Sequence, residues 1–182
     1  CFNFASKYRK DKLNNEVYLF NPFDRRTHRY NPLAYVDLNG SNGDAELTDL
    51  ANIIYPLPND ENGKFFALQA QNLFMGLCYL CNDLLTTTTG LNFLRTYSLK
   101  CSFDLAGLLE LSEGFIFEYE HITYITNPNN KNKPIEKKEK CEVSNFDETW
   151  EFLKKLDKQA KDLNKIFLSS KAMDRMNAYY SI

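Results

Sequence analysis

The sequence predicts a mainly α-helical bundle that carries a small β-hairpin. Two long segments repeat apolar residues every three or four positions, the spacing of one buried helix face. The first runs from Phe66 to Leu84 and the second from Thr149 to Phe167. Between them, apolar and polar residues alternate over Phe115–Thr126, the spacing of a β-strand.

The bulk composition indicates a globular chain. Its 182 residues suit one domain, or one domain with a piece of another, and 43% hydrophobic residues suffice for a core. A net charge of −2 argues against nucleic-acid binding driven by total charge. Five cysteines, an odd number, favour a reducing compartment over a disulfide framework. No apolar run approaches the ~18 residues of a membrane span, so we expect a soluble segment without direct membrane contact.

The N-terminal region is predicted to form a helix followed by a strand, and then a linker through which the chain leaves this unit. A helix that ends at Asn14-Asn15 precedes a predicted strand over Glu16–Phe20. Asn21-Pro22 and Asn31-Pro32 then interrupt regular structure, because proline excludes the helical conformation from the residue before it. We therefore predict a boundary, with 1–32 in one domain and 33–182 in the other.

A basic cluster lies between the two Asn-Pro pairs. It consists of Arg25, Arg26 and Arg29, with His28 among them. The cluster is interpreted as solvated loop charge, or as a contact for a phosphate or an acidic partner surface.

Four helices are predicted between residues 44 and 111. The first is Ala45–Tyr55, with Asp44 as its N-cap. Its predicted buried face is Leu47, Leu50, Ile53 and Ile54. The longest, Phe65–Leu85, contains Gly76, where a neighbouring helix is expected to pack closely. Two shorter helices are expected around Leu91–Leu99 and around Phe103–Leu111, the latter capped by Ser102.

The segment 115–142 is predicted to be a hairpin insertion with a lysine-rich loop. Phe115, Phe117 and Tyr119 fall on one face of the predicted strand, and Glu118 and Glu120 on the other. The following loop, Asn127–Lys140, has five lysines and two glutamates. Most such loops are simply solvated, but this one is also a candidate docking site. The partner-binding candidates are Phe115, Phe117, Tyr119, Tyr124, Lys137, Lys138 and Trp150, although tryptophan on a helix is more often core.

The last long helix is predicted to open at Ser144, with Asp147 completing a capping-box-like start. The residues of its predicted buried face are separated alternately by four and three positions: Thr149, Leu153, Leu156, Ala160, Leu163 and Phe167. This is under three heptads, a length that favours packing within a bundle over an independent coiled coil.

No catalytic or metal-binding motif is recognised. The nearest approach to a P-loop, Gly63-Lys64, lacks the upstream glycine and the following Ser or Thr. Cys78-x-x-Cys81 has no second ligand pair and lies on the most apolar helix, so core packing is favoured over a metal or redox site. The chain by itself is not expected to be an enzyme.

Three ordered motifs carry a resemblance to a known family. The chain resembles the coupling ATPases of bacterial type IV secretion systems, the TraG/TraD family. In that family a strand of the RecA-like domain ends in an Asp-Pro or Asn-Pro turn, and an R-x-N-P-L motif follows. Arg29-Tyr30-Asn31-Pro32-Leu33 matches this exit. "LTDLANIIYPLP" matches a helix ending near prolines, and "FFALQAQNLFMGL" matches the family's long helix, with Phe66 where tryptophan is usual.

The resemblance covers the chain to about Leu84 and fades beyond Leu99. It implies an all-α domain inserted in a RecA-like ATPase domain, with a remnant of that domain at the N-terminus. It also implies that ATP and Mg²⁺ are bound by other parts of a homohexameric, membrane-anchored parent at the cytoplasmic face of the inner membrane. No cofactor is expected in this fragment.

Three functions are open at this point. The domain is a recognition module for a cytosolic effector, chaperone or small regulator; or a DNA-gating module using the arginines and the lysine loop; or a structural element of the ring. The net charge of −2 favours the first and makes DNA the less favoured substrate.

Overall fold

In a computed structural model of the chain, the described residues are 2–19, 21, 23–28, 30–125 and 135–181. They belong to two compact units, Cys1–Asn31 and Pro32–Ile182.

The first unit contains helix α1, Phe2–Leu13, as predicted. The helix ends at Asn14, whose φ of 53° is left-handed, a conformation that asparagine tolerates. The strand predicted over Glu16–Phe20 is wrong for the described residues 16–19, which pair with no strand. Leu19 instead bonds to a turn, because its N–H donates to His28 Nδ1 and its carbonyl accepts from the His28 N–H, both at 2.9 Å.

The second unit is mainly helical, with a two-stranded antiparallel hairpin, as the sequence predicts. A short 3-10 helix, Pro32–Tyr35, comes first. The other elements are α2 (Gly43–Ile54), α3 (Glu61–Thr86), α4 (Thr88–Thr96), α5 (Leu105–Glu113), β1 (Phe117–Ile125), β2 (Ile135–Val143), α6 (Phe146–Asp162) and α7 (Ser170–Tyr180).

Helix α3 is the centre of the core and packs against α2, α4, α5 and α7. Every residue from Phe74 to Cys81 is buried, so this part of the helix has no solvent face. A Cβ added at Gly76 would lie 2.6 Å from the Met176 sulfur of α7. The prediction that a helix packs closely on Gly76 is therefore confirmed.

Asp83 of α3 links the core to the start of α7. Its carboxylate accepts from the Ser169 N–H at 2.8 Å and from the Ser169 hydroxyl at 2.9 Å. The same hydroxyl oxygen accepts from the Ala172 N–H and so caps α7. Burial raises the pKa of Asp83 above its usual value despite these two donors.

Several predicted helix ends need correction. Asn42 precedes α2, and Asp44 lies in its first turn, where it accepts from the Tyr79 hydroxyl at 2.7 Å. The cap of α5 is Asp104, which accepts from the Gly107 N–H, and not Ser102. The cap of α6 is Asn145, which accepts from the Glu148 N–H, and not Ser144. At α5 and α6 the side chain that accepts from one of the first free N–H groups forms the cap, whereas the Asn42 side chain makes no capping hydrogen bond to α2.

Three apolar residues assigned to buried faces are exposed. Ile53 is 76% exposed, Phe66 is 69% exposed and Leu163 is 68% exposed. Leu163 follows the end of α6, and the chain then turns through Asn164, whose φ of 53° is left-handed. The turn places Phe167 in the core and starts α7, a separate helix that the sequence analysis did not distinguish.

The hairpin pairs β1 with β2 from Phe117 opposite Val143 to Ile125 opposite Ile135. The lysine-rich loop predicted over Asn127–Lys140 is therefore wrong for residues 135–140, which form β2. Residues 126–134 lie outside the described residues. Phe117 and Tyr119 pack their rings on Phe152 of α6, and Glu118 and Glu120 are exposed, so the predicted alternation of β1 is confirmed.

Candidate partner-binding surfaces

Three of the aromatic partner-binding candidates lie in the core. Phe115, Phe117 and Trp150 are all less than a tenth exposed. The backbone N–H of Phe115 donates to the buried Thr149 hydroxyl at 2.9 Å, which fixes the start of the hairpin on α6. The prediction that these three side chains anchor a partner is therefore wrong, because all three are buried in the hydrophobic core.

The other two aromatic candidates remain accessible to different degrees. Tyr124, near the end of β1, is 65% exposed. Tyr119 is half-buried, and its ring centroid lies 4.8 Å from that of Phe152. Burial raises the pKa of the Tyr119 hydroxyl above its usual value, so it is neutral at physiological pH.

The three lysines of β2 are paired with glutamates. Lys137 is 2.5 Å from Glu139, Lys138 is 3.5 Å from Glu120 and Lys140 is 3.9 Å from Glu118. Exposed pairs of this kind contribute little stability, but they balance charge locally. The positive charge expected for residues 127–140 is thus offset, over β2, by Glu118 and Glu120 of β1 and by Glu139 of β2 itself.

The arginine candidates are only partly brought together. Arg26 forms an ion pair with Asp24, with 2.6 Å between Nη2 and Oδ2. Hydrogen bonds from the Arg26 side chain and backbone lower the pKa of Asp24 to about 2. Arg25 is exposed, and Arg29 lies outside the described residues. His28 has a structural contact, since Tyr18 packs edge-on against its ring.

A cleft between β1 and α6, here called the hairpin cleft, has a volume of about 620 Å³. Half-buried side chains form its floor: Tyr97, Tyr119, Phe152 and Leu156. Exposed side chains surround that floor: Glu120, His121, Ile122, Lys155, Lys158, Gln159 and Asp162. An aromatic floor within a polar margin of both charges is the arrangement found at protein–protein interfaces.

Lys155 and Lys158 are the two cations of this margin. Neither forms an ion pair within the described part of the chain, whereas Lys154 and Lys161 of the same helix pair with Glu151 and Asp157, each at 2.6 Å. They are not evident in the sequence because the cleft that they line together with β1 forms only through tertiary packing. The residues four positions away from each lysine on the helix include no tyrosine and carry charges of both signs. The local sequence therefore does not indicate a binding surface.

Over residues 1–161, the chain matches the family model described as type IV secretory system conjugative DNA transfer. The chain belongs to this family. The match includes residues 115–142, for which the sequence analysis recognised no resemblance, and it ends before Asp162. A search of curated proteins gave no match. Within the described part of this type IV secretory protein, no helix combines the length and apolarity needed to cross a bilayer.

Both side chains of the Cys78-x-x-Cys81 pair are fully buried in this family member, which confirms the prediction that they pack in the core. Burial raises the pKa of the Cys78 thiol. The Cys81 and Cys101 sulfurs are 3.3 Å apart, and the hydrogen bond between them raises the pKa of Cys81 and lowers that of Cys101. The described residues hold no group of three or more potential metal ligands.

Proposed function

We propose that this chain is the recognition domain of a type IV secretion coupling ATPase of the TraG/TraD kind. In this proposal it docks a cytosolic effector, chaperone or small regulator to the secretion channel. ATP and Mg²⁺ are bound elsewhere in a homohexameric parent at the cytoplasmic face of the inner membrane. The motifs around Asn31-Pro32-Leu33 and the family match support this placement.

The observation that carries the docking role is the hairpin cleft. Its aromatic floor is fixed by packing, since the Tyr119 and Tyr97 rings both contact Phe152. A rigid aromatic floor loses little conformational entropy on binding, which favours affinity. Lys155 and Lys158 add charges that a protein partner with acidic residues can meet.

DNA transfer is the second candidate, and the family description favours it. Arg25, Lys155 and Lys158 are exposed cations available to phosphates. Against this, the lysines of β2 are paired with glutamates and the net charge is −2. Binding to DNA would weaken steeply with salt and would tolerate changes in the position of the charges.

Reversing the charges of the cleft should separate the two candidates. We expect the double variant Lys155→Glu/Lys158→Glu to capture at least about tenfold less of a protein partner, because both changes fall within one interface. The measurement is affinity capture from the source cytosol with and without nuclease treatment, quantified by mass spectrometry.

The matched control is Lys100→Glu/Lys165→Glu, which changes the net charge equally at exposed positions outside the cleft. It should capture the partner as well as the unaltered chain does. Equal losses in both double variants, together with loss of all captured material on nuclease treatment, would instead support DNA binding and overturn the docking role.

A further inference from the structure

Two cysteine side chains of the helical unit are in direct contact. The Sγ atoms of Cys81 and Cys101 lie 3.3 Å apart, although the two residues are 20 positions apart in the sequence. Both are free thiols, and Cys78 and Cys141 are the other free cysteines of the described part of the chain. Sulfurs in contact can reach the ~2 Å of a disulfide bond by rotation of their side chains and a small shift of one backbone segment.

The two thiols differ in accessibility. Cys81 is fully buried in α3, at the centre of the core. Cys101 is half-buried and lies in the connection between α4 and α5, outside any helix or strand. A small solute therefore reaches Cys101 first. Cys101 is also the residue that can shift, because helical hydrogen bonds do not fix its backbone as they fix that of Cys81.

The contact also makes the two thiols chemically unequal. The hydrogen bond between them lowers the pKa of Cys101 below its usual value, and the same bond together with burial raises the pKa of Cys81. Cys101 is therefore the thiol that ionises, and the Cys81 S–H donates to its sulfur. The thiolate is the reactive form of cysteine, so oxidation begins at Cys101 and its product faces Cys81.

We propose that Cys81 and Cys101 are a redox site, which forms a reversible disulfide when the chain meets hydrogen peroxide or another hydroperoxide. The bond fastens the connection between α4 and α5 to α3 and so restricts local opening of this part of the helical unit. Neither residue lines the hairpin cleft, so the proposal stands or falls independently of the docking role.

The reaction has two steps. In the first, the Cys101 thiolate attacks one oxygen of hydrogen peroxide, the O–O bond breaks, and Cys101 becomes a sulfenic acid. The hydroxide that leaves takes up the proton released by the Cys101 thiol and becomes water. In the second, the Cys81 sulfur attacks the Cys101 sulfur, the S–S bond forms and the S–O bond breaks. The hydroxyl group leaves with the Cys81 proton as a second water, and the two electrons lost by the thiols have reduced the peroxide.

Mass spectrometry of the oxidised chain tests the proposal. The reduced full chain is treated with hydrogen peroxide, its remaining thiols are blocked with N-ethylmaleimide, and it is digested without reduction. We expect the peptides that contain Cys81 and Cys101 to be joined, at least about tenfold more abundantly than any other cysteine pair, since only these sulfurs combine contact with an ionised thiol. Dithiothreitol should separate them.

Matched variants identify the role of each thiol. Cys101→Ser should abolish the disulfide and leave Cys81 reduced. Cys81→Ala, a small apolar replacement that suits the core, should leave Cys101 as a sulfenic acid that dimedone labels. Cys141→Ser, at a cysteine that is also half-buried, should form as much of the Cys81–Cys101 bond as the unaltered chain. Far-UV circular dichroism checks that each variant is folded.

The melting temperature tests the fastening. Closing this loop should raise the Tm of the oxidised chain by about 5 °C or more relative to the same sample after dithiothreitol, which reverses the disulfide but not methionine oxidation. Cys101→Ser treated in the same way should show no such difference. Oxidation of Cys101 to a sulfinic acid without a disulfide, or a disulfide from either residue to another cysteine, would overturn the proposal. A Cys81–Cys101 bond that leaves the Tm unchanged would overturn the fastening.

Discussion

Replacing Trp150 with alanine should lower the free energy of unfolding by about 3–5 kcal/mol, the range for truncating a large buried aromatic side chain. Trp150 is only 2% exposed and sits beside the buried Thr149 and Leu153 of α6. The chain cannot close the resulting cavity without moving α6, to which the hairpin is attached. Urea unfolding followed by far-UV circular dichroism gives the value.

Tyr124→Ala is the matched aromatic truncation. Because Tyr124 is 65% exposed, the loss should stay within about 0.5 kcal/mol. A Trp150→Ala variant that unfolds at the same urea concentration as the unaltered chain, while losing a bound partner, would show that Trp150 is a contact residue and not part of the core.

Replacing Gly114 with alanine should destabilise the helical unit by about 3 kcal/mol or more. Gly114 joins α5 to the hairpin with φ 90° and ψ 169°, a backbone region that is essentially restricted to glycine. An added Cβ would also lie 2.2 Å from the backbone carbonyl carbon of Asn145, the residue that caps α6. The strain and the steric conflict add, because neither can relax without displacing that cap.

The exposed neighbour Glu113 provides the control. Glu113→Ala should leave the unfolding midpoint nearly unchanged, since the side chain is exposed and alanine suits the last turn of a helix. Limited proteolysis of the Gly114→Ala variant should produce new cleavage between α5 and α6. Unchanged stability and proteolysis in Gly114→Ala would mean that the connection does not have this conformation.

Periodicity in the sequence was sufficient to predict the helices α3 and α6, the strand β1 and the faces that their central residues bury. It failed at the ends of the apolar faces of α2, α3 and α6. Ile53, Phe66 and Leu163 have the correct spacing, but the neighbouring elements do not extend over them. Spacing tells which side of a helix faces inward, whereas the length of the covered part depends on the partner element.

Strand β2 could not be predicted from its own composition. Residues 136–140 are all lysine or glutamate and provide no apolar face, so they carry the signal of a solvated loop. They form a strand because β1 offers a hydrogen-bonding edge and places Glu118 and Glu120 close to Lys140 and Lys138. The hairpin cleft depends on the same tertiary pairing, which explains why Lys155 and Lys158 were missed.

Site-specific photo-crosslinking tests the proposal that the hairpin cleft receives a protein of the secretion system. A photoreactive residue replaces Gln159, an exposed residue of the cleft, in the parent protein in the source cells. The control position is the exposed Asn177 of α7, which does not line the cleft. The account predicts a crosslinked protein at position 159 that survives nuclease and is absent at position 177. Crosslinks from position 159 to DNA alone, or the same proteins crosslinked from both positions, would contradict it.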